Sequence, residues 1–159
     1  MLLDITVLSG DGIGPEVTEQ AVLVLQAVAD RFGHQLQFEQ KLIGGAALKA
    51  SDQPLPSDTL ETCLKSTAVL LGAVGSPEFD KNPGHLRPEA GLLRIRRELG
   101  AYANLRPAVF FPALEDASPL RAELVRGTDI MIVRELLGDR KSTRLNSSHR
   151  SLSRMPSSA

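Results

Sequence analysis

The sequence has 159 residues, 42% hydrophobic and 23% charged, which suits an ordinary globular protein and excludes a fibrous or wholly disordered chain. No apolar run approaches the roughly 20 residues that span a membrane, and residues 1–4 lack the basic stretch of a secretory leader, so we expect a cytoplasmic protein. The net charge of −1 hides an acidic body, because residues 140–159 hold five basic and no acidic residues, so we expect no nucleic-acid partner.

The predicted elements alternate between strand and helix over residues 1–139. Strand patterns lie at 2–8, 35–39, 68–74, 103–111 and 128–133, and helical patterns lie at 15–32, 44–50, 58–64 and 89–99. Residues 68–74 are apolar without alternation, which predicts a strand buried on both faces of a parallel sheet. The repeated β-α-β order therefore predicts an α/β fold.

Three helix ends carry recognisable terminal residues. Pro15 is predicted at the start of the first helix, where its missing N–H costs little, and Gly33 is predicted at the carboxyl end. Asp58 and Glu61 have the spacing of a capping box at the start of the third helix.

The composition changes abruptly after Asp139. Residues 141–159 contain seven serines, four basic residues and no acidic residue, so this segment cannot bury enough apolar surface to order itself. It is either a natural disordered tail or a translated sequence foreign to the protein. We favour the foreign tail, because the change falls directly after a strand, where an α/β protein continues.

The glycine-rich turn Gly10–Gly14 follows a strand and precedes a helix. The dinucleotide-binding pattern G-x-G-x-x-G needs glycine at position 15, where Pro15 stands, and no strand ends in an acidic residue about 20 positions later. The spacing by itself therefore favours a tight strand-to-helix turn, which a ligand can still approach closely.

Three arginines lie where a polycarboxylate could bind. On the predicted helix from Glu89, Arg96 falls on one arc with Leu92, Leu93 and Leu99, while Arg106 and Arg134 lie on separate strands. Guanidinium groups that converge would hold carboxylates through paired hydrogen bonds. The alternative, three unrelated surface ion pairs, stays open on spacing alone.

Metal-binding and nucleophilic chemistry have no signal of their own. His34, His85 and His149 lack the spacing of metal ligands and are expected at the surface. The single cysteine, Cys63, cannot form an internal disulfide, and its position predicts a residue in the core face of a helix.

Several motifs in consistent order resemble the β-decarboxylating dehydrogenases, a family with isocitrate, isopropylmalate, homoisocitrate, tartrate and D-malate enzymes. The resemblance begins with the sequence GDGIGPEV at 10–17 and continues at 42–47, 70–75, 87–93, 103–108 and 132–136, where it narrows to the isopropylmalate branch. It implies the α/β fold of that family, which is not the Rossmann fold, in truncated form. It also implies a first domain at 1–101, the start of a second, dimerising domain at 102–139, and a tail at 140–159 outside the family.

The resemblance implies NAD-dependent oxidative decarboxylation of 3-isopropylmalate to 4-methyl-2-oxopentanoate in leucine biosynthesis, by a homodimer that uses Mg²⁺ or Mn²⁺. In the family, substrate carboxylates are held by arginines that match Arg96, Arg106 and Arg134, and Leu92 and Leu93 match positions beside the isopropyl group. The matching cofactor-binding residues are Ile13, Ser76, Pro77, Glu78, Phe79, Asp80 and Glu89.

The sequence departs from the family in two places. Ser76 stands where glycine is usual, and no residue after Asp139 can be matched to the family's tyrosine, lysine or metal-binding aspartates; Lys141 is not in a matching motif. We therefore expect no catalytic or metal-binding residue in this chain, and no activity of the chain by itself. A tartrate or D-malate type of dehydrogenase and a non-catalytic truncated product are the alternatives.

Overall fold

The computed structural model describes residues 2–136, so His149 and the predicted tail at 140–159 lie outside the described residues. The chain divides into two compact units, with the boundary between Leu99 and Gly100. No helix in the described range 2–136 is both long enough and apolar enough to cross a membrane.

The first unit alternates strands and helices. It contains β1 (Leu2–Gly10), α1 (Gly14–Phe32), β2 (Gln35–Lys41), α2 (Gly44–Ser51), α3 (Ser57–Lys65), β3 (Ala68–Ala73) and α4 (Pro88–Glu98). Two short 3-10 helices, Pro77–Phe79 and Gly84–Leu86, lie in the segment between β3 and α4. The α/β fold predicted from the alternation is confirmed.

The three strands of this unit form a parallel sheet in the order β2-β1-β3. Residues 5–8 of the central strand β1 are all buried. The prediction that 68–74 is buried on both faces is wrong, because β3 ranges from half-buried to exposed. β3 lies at an edge of the sheet formed by the described residues, and an apolar run cannot distinguish an edge strand from a central one.

The core of the first unit lies where helices α2, α3 and α4 meet the sheet. Its members are at most 3% exposed: Leu8, Ile43, Leu55, Cys63 and Ile95. The prediction that Cys63 is a helix core residue is confirmed, and burial raises the pKa of its thiol, so the group stays protonated at neutral pH. His34 and His85 are exposed, as predicted.

Both predicted ends of α1 are confirmed, and the predicted start of α3 is wrong. Pro15 lies in the first turn of α1, and Gly33 closes that helix in the left-handed conformation with φ of 69°. The capping box at Asp58 and Glu61 does not form, because α3 begins one residue earlier and Pro56 takes the N-cap position. Glu61 instead pairs with Lys65 one turn later, at 2.6 Å.

The second unit contains β4 (Ala103–Val109), a 3-10 helix (Pro112–Ala117), the short helix α5 (Ala122–Val125) and β5 (Asp129–Glu135). β4 and β5 pair antiparallel, with Asn104 opposite Arg134 and Arg106 opposite Ile132. The connection between the strands is held by Arg126, whose Nε and Nη2 donate to the two oxygens of Glu115 at 3.1 and 2.5 Å.

Candidate functional site

The carboxyl ends of β1 and β3 lie side by side, and the glycine turn begins there. Gly10 pairs with Ala73 across the sheet and has φ of 75°. A Cβ on Gly10 would lie 2.0 Å from the Ala73 carbonyl oxygen, and one on Gly14 would lie 2.0 Å from the Ser9 carbonyl oxygen. Both glycines are therefore required for the turn to pack this closely, as its spacing predicted.

Asp11, in the middle of this turn, connects three segments of the chain. Its side chain is almost completely buried, with the residue 7% exposed. Oδ2 accepts the backbone N–H groups of Gly45 at 2.9 Å and Gly75 at 3.0 Å, and Oδ1 accepts that of Ala46 at 2.8 Å. The carboxylate thus joins the turn to the start of α2 and to the segment after β3.

Asp11 is not among the site residues predicted from the sequence. Its three hydrogen-bond partners lie 34, 35 and 64 positions later in the chain, so no local pattern connects them. A weak signal exists in the composition of the turn, because a carboxylate between two glycines directly after a strand has little local reason to be there.

A cleft of about 200 Å³ opens beside the turn. The turn, α2 and the start of the segment after β3 all contribute to its walls. Its lining residues are Gly10, Asp11, Gly12, Gly45, Ala46, Lys49, Ser76 and Phe79. Two of the predicted cofactor-binding residues, Ser76 and Phe79, therefore share a cleft with the glycine turn.

The segment Ser76–Asp80 is held against α2 by Phe79 and Glu78. The Phe79 ring lies so close to Gly45 that a Cβ on this glycine would be 2.7 Å from Cε2. Lys49 Nζ lies 2.6 Å from Glu78 Oε2 and 5.8 Å from the centre of the Phe79 ring. Lys49 and Glu78 are both more than half exposed, so this ion pair contributes little stability.

The remaining predicted cofactor-binding residues lie in or beside the glycine turn and the segment after β3. Ile13 is 62% exposed, at the end of the turn. Glu89 Oε1 lies 3.2 Å from the position that a Cβ on Gly75 would take. Pro77 and Asp80 are exposed.

The buried face of α4 is not the face that the helical arc of the sequence predicted to be apolar. The buried residues of this helix are Pro88, Gly91 and Ile95. Gly91 lies so close to Pro54 that a Cβ on this glycine would be 2.3 Å from the Pro54 carbonyl oxygen. The arc that holds Leu93 and Arg96 lies beside this face and is exposed or half-buried.

Leu92 and Leu93 differ in their surroundings although both were predicted to lie beside an alkyl group. Leu92 is half-buried and packs against the core cluster, whereas Leu93 is 62% exposed. Arg96 is half-buried, while Arg94 and Arg97 are exposed, in agreement with their predicted positions off the arc.

Arg106 and Arg134 lie on one face of the β4-β5 hairpin. Arg134 is directly opposite Asn104, and Arg106 is two residues from Asn104 along the strand, so all three side chains project from the same face. Arg106 Nε donates to Asn104 Oδ1 at 2.9 Å. The hairpin therefore presents two permanently charged groups side by side, and both are exposed.

The described residues do not form a metal site. No group of three or more His, Cys, Asp or Glu side chains in the range 2–136 is placed to hold an ion. A larger cleft, of about 590 Å³, lies beside β1, β2 and the end of α3, and its walls include Asp4, Glu39 and Lys65 but none of the predicted site residues.

Comparison with protein families finds one that covers most of the chain. The sequence model of the isocitrate/isopropylmalate dehydrogenase family matches residues 4–151. Among similar proteins, the 3-isopropylmalate dehydrogenase of Geobacillus kaustophilus is 60% identical over 134 residues and that of Priestia megaterium is 56% identical over 138. These alignments cover 84% and 87% of the chain but only 36% and 37% of the relatives, so the chain spans little more than a third of their length.

Solved structures show the same relationship at lower identity. A β-decarboxylating dehydrogenase of Thermococcus kodakarensis is 34% identical with a TM-score of 0.60, and covers 87% of this chain and 34% of its own. The isocitrate dehydrogenase of Methylococcus capsulatus is 28% identical with a TM-score of 0.67, and covers 84% of this chain and 34% of its own.

Proposed function

The chain belongs to the isocitrate/isopropylmalate dehydrogenase family, and we propose that the protein of which it forms part catalyses the NAD-dependent oxidative decarboxylation of 3-isopropylmalate. One observation carries the choice of substrate. Identity is 56–60% to 3-isopropylmalate dehydrogenases but 28% to an isocitrate dehydrogenase. The product would be 4-methyl-2-oxopentanoate, on the way to leucine.

The cofactor side of the proposal rests on the turn and the segment after β3. NAD, when bound, supplies the acceptor for the substrate hydride. Ile13 exposes an apolar surface at the end of the turn, and Ser76 and Phe79 line the adjacent cleft, which suits contact with a planar ring and a ribose. At the start of α2, the N–H groups of Gly45 and Ala46 donate to Asp11 and that of Gly44 donates to a backbone carbonyl, so this helix start does not take a cofactor phosphate as in a Rossmann fold.

The substrate side of the proposal rests on guanidinium groups and one exposed leucine. We assign Arg106 and Arg134 to the substrate carboxylates because the hairpin holds them on one face, where each offers a planar pair of donors. Arg96 takes the same role from α4, and Leu93, one turn before it and exposed, contacts the isopropyl group. Holding the substrate in one orientation lowers the barrier by proximity.

The described residues do not supply a site for Mg²⁺ or Mn²⁺. We propose that the whole protein is a homodimer, and that its metal ion is bound by residues outside the range 2–136. We expect the 159-residue chain by itself to have no dehydrogenase activity.

A chimera tests the proposal. Residues 1–136 would replace the corresponding segment of the Geobacillus kaustophilus enzyme, with which the chain is 60% identical over 134 residues. We expect NADH formation from 3-isopropylmalate with NAD and Mg²⁺, and little from malate, tartrate or isocitrate. A chimera that folds but prefers D-malate or tartrate would contradict the proposed substrate. Turnover by the 159-residue chain alone would contradict the expectation that this chain is inactive by itself.

A further inference from the structure

We propose that Asp11 is a positioning residue for the cofactor-binding segment, which it holds in place through the backbone of Gly75. The inference rests on the proposed function for the role of that segment, but its structural part stands independently. Gly75 directly precedes Ser76–Asp80, and its N–H donates to the carboxylate of Asp11, a residue that is 7% exposed. A shift of Gly75 would move the whole segment relative to the glycine turn.

The charge of Asp11 is stabilised by backbone amides. A carboxylate removed from water needs compensating donors, and here three N–H groups at 2.8 to 3.0 Å provide them. Two of the three come from the first turn of α2, where the helix dipole favours a negative group. Ile43, the residue at the N-cap position, makes no side-chain cap of its own, so Asp11 caps α2 from a distant part of the chain.

The other contacts of the segment are weaker. The ion pair of Lys49 and Glu78 is exposed, and Phe79 packs on Gly45, which is itself held by Asp11. Even the apolar contact of the segment therefore depends on the position that the carboxylate gives to α2. Glu89 is affected as well, because its carboxylate lies against Gly75.

Asparagine cannot replace this aspartate completely. All three partners are donors, and both oxygens are used, so an amide NH₂ must face at least one backbone N–H in either orientation. The better orientation keeps the amide oxygen on Gly45 and Gly75 and turns the NH₂ toward Ala46. Asp11→Asn should therefore break the bond to Ala46 and keep the bond to Gly75, whereas Asp11→Ala breaks both.

The structural test is backbone amide exchange in the full 159-residue chain, measured by NMR. We expect Asp11→Asn to speed exchange at Ala46 by about tenfold or more while Gly75 stays near wild type, since a bond to a charged group is lost at one amide only. Asp11→Ala should speed exchange at both amides. Asp30→Asn, which removes an exposed carboxylate on α1, is the matched control and should change none of the three amides.

The functional test is the KM for NAD in the chimera. We expect Asp11→Ala to raise this KM about tenfold and Asp11→Asn to raise it much less, with the KM for 3-isopropylmalate unchanged in both. If Asp11 had a merely structural role, both KM values would rise together. If the bond to Ala46 were the important one, Asp11→Asn would raise the KM for NAD as much as Asp11→Ala does. Either result overturns the proposal. Unchanged exchange at Gly75 in Asp11→Ala would overturn it too.

The two variants and the two measurements keep the outcomes distinct. If Asp11→Ala does not fold, the Asp11→Asn exchange pattern decides: selective loss at Ala46 supports the proposal, and equal loss at Gly75 contradicts it. A wild-type chimera without dehydrogenase activity would refute the proposed function, while the exchange data would still decide whether Asp11 holds Gly75.

Discussion

The two units differ in how their sheets are covered. In the first unit, the central strand β1 is buried by helices, and Val7 and Leu8 are at most 1% exposed. In the second unit, no residue in the described range 100–136 is buried, and Ile130, Met131, Ile132 and Val133 are each at least 52% exposed. The strands are paired along their length in both the three-stranded parallel sheet and the two-stranded antiparallel one, but only the first sheet has buried side chains.

Regular hydrogen bonding between strands therefore does not by itself make a sheet stable. A two-stranded hairpin by itself is marginally stable in water, whereas a sheet packed against helices gains the free energy of apolar burial. We therefore expect the first unit to carry most of the free energy of unfolding of this chain. The candidate residues divide in the same way, with the cofactor side on the covered sheet and two of the three arginines on the uncovered hairpin.

The largest expected effect is on stability, from paired substitutions in the two sheets. Leu8→Ala should lower the free energy of unfolding by about 2–5 kcal/mol, because it leaves a cavity in the core. Val133→Ala should lower it by less than about 0.5 kcal/mol, because that side chain is 63% exposed. Urea denaturation of the 159-residue chain measures both, and equal losses would show that Val133 is covered in solution.

The second effect concerns the arginines of the hairpin. In the chimera, Arg106→Lys should lower kcat/KM for 3-isopropylmalate about 10- to 100-fold, because a point charge cannot reproduce a planar pair of donors. Arg121→Lys, an exposed arginine elsewhere in the second unit, is the control and should leave kcat/KM unchanged. Full activity of Arg106→Lys would remove this residue from the proposed substrate site.

A smaller effect is expected from the alkyl contact in the first unit. Leu93→Ala should lower kcat/KM for 3-isopropylmalate by about tenfold and change that for malate little, because apolar pockets discriminate by roughly 1–3 kcal/mol. Leu64→Ala, also an exposed helical leucine, is the control. Leu92→Ala should in addition lower the melting temperature, because Leu92 packs against the core; equal losses on both substrates for Leu93→Ala would contradict the assignment.

The smallest effect is a pH dependence in the second unit. The paired hydrogen bond from Arg126 lowers the pKa of Glu115 below its usual 4.5. Because the folded-state pKa is depressed, this stabilisation is present above about pH 4.5 and is lost as the pH falls through the folded-state value. Carbon-13 titration of the Glu115 carboxyl should show its pKa rise toward 4.5 in Arg126→Ala. An unchanged titration would mean that the pair does not form in solution.

Much of the candidate site could be anticipated from the sequence because its motifs are local. The turn around Gly10 and Gly14 and the family were recognised from residues that are adjacent in the chain, and the family match over residues 4–151 confirms the recognition. The predicted substrate and cofactor residues stay predictions until the variants above are measured. The contact of Leu92 with the core could not be predicted, because a helical arc does not distinguish a leucine that faces a ligand from one that faces the core.

The sequence by itself determined the order of the five strands and of helices α1 to α4, the glycine turn and the family, because periodicity and motifs act within about twenty positions; the short helix α5 was not predicted. Only the tertiary structure decided that β1 and not β3 is the central strand, that Gly91 and Ile95 set the buried face of α4, and that Asp11 caps α2 and bonds to Gly75. These features depend on residues up to 64 positions apart, and burial and hydrogen bonding at such separations exist only once the chain has folded.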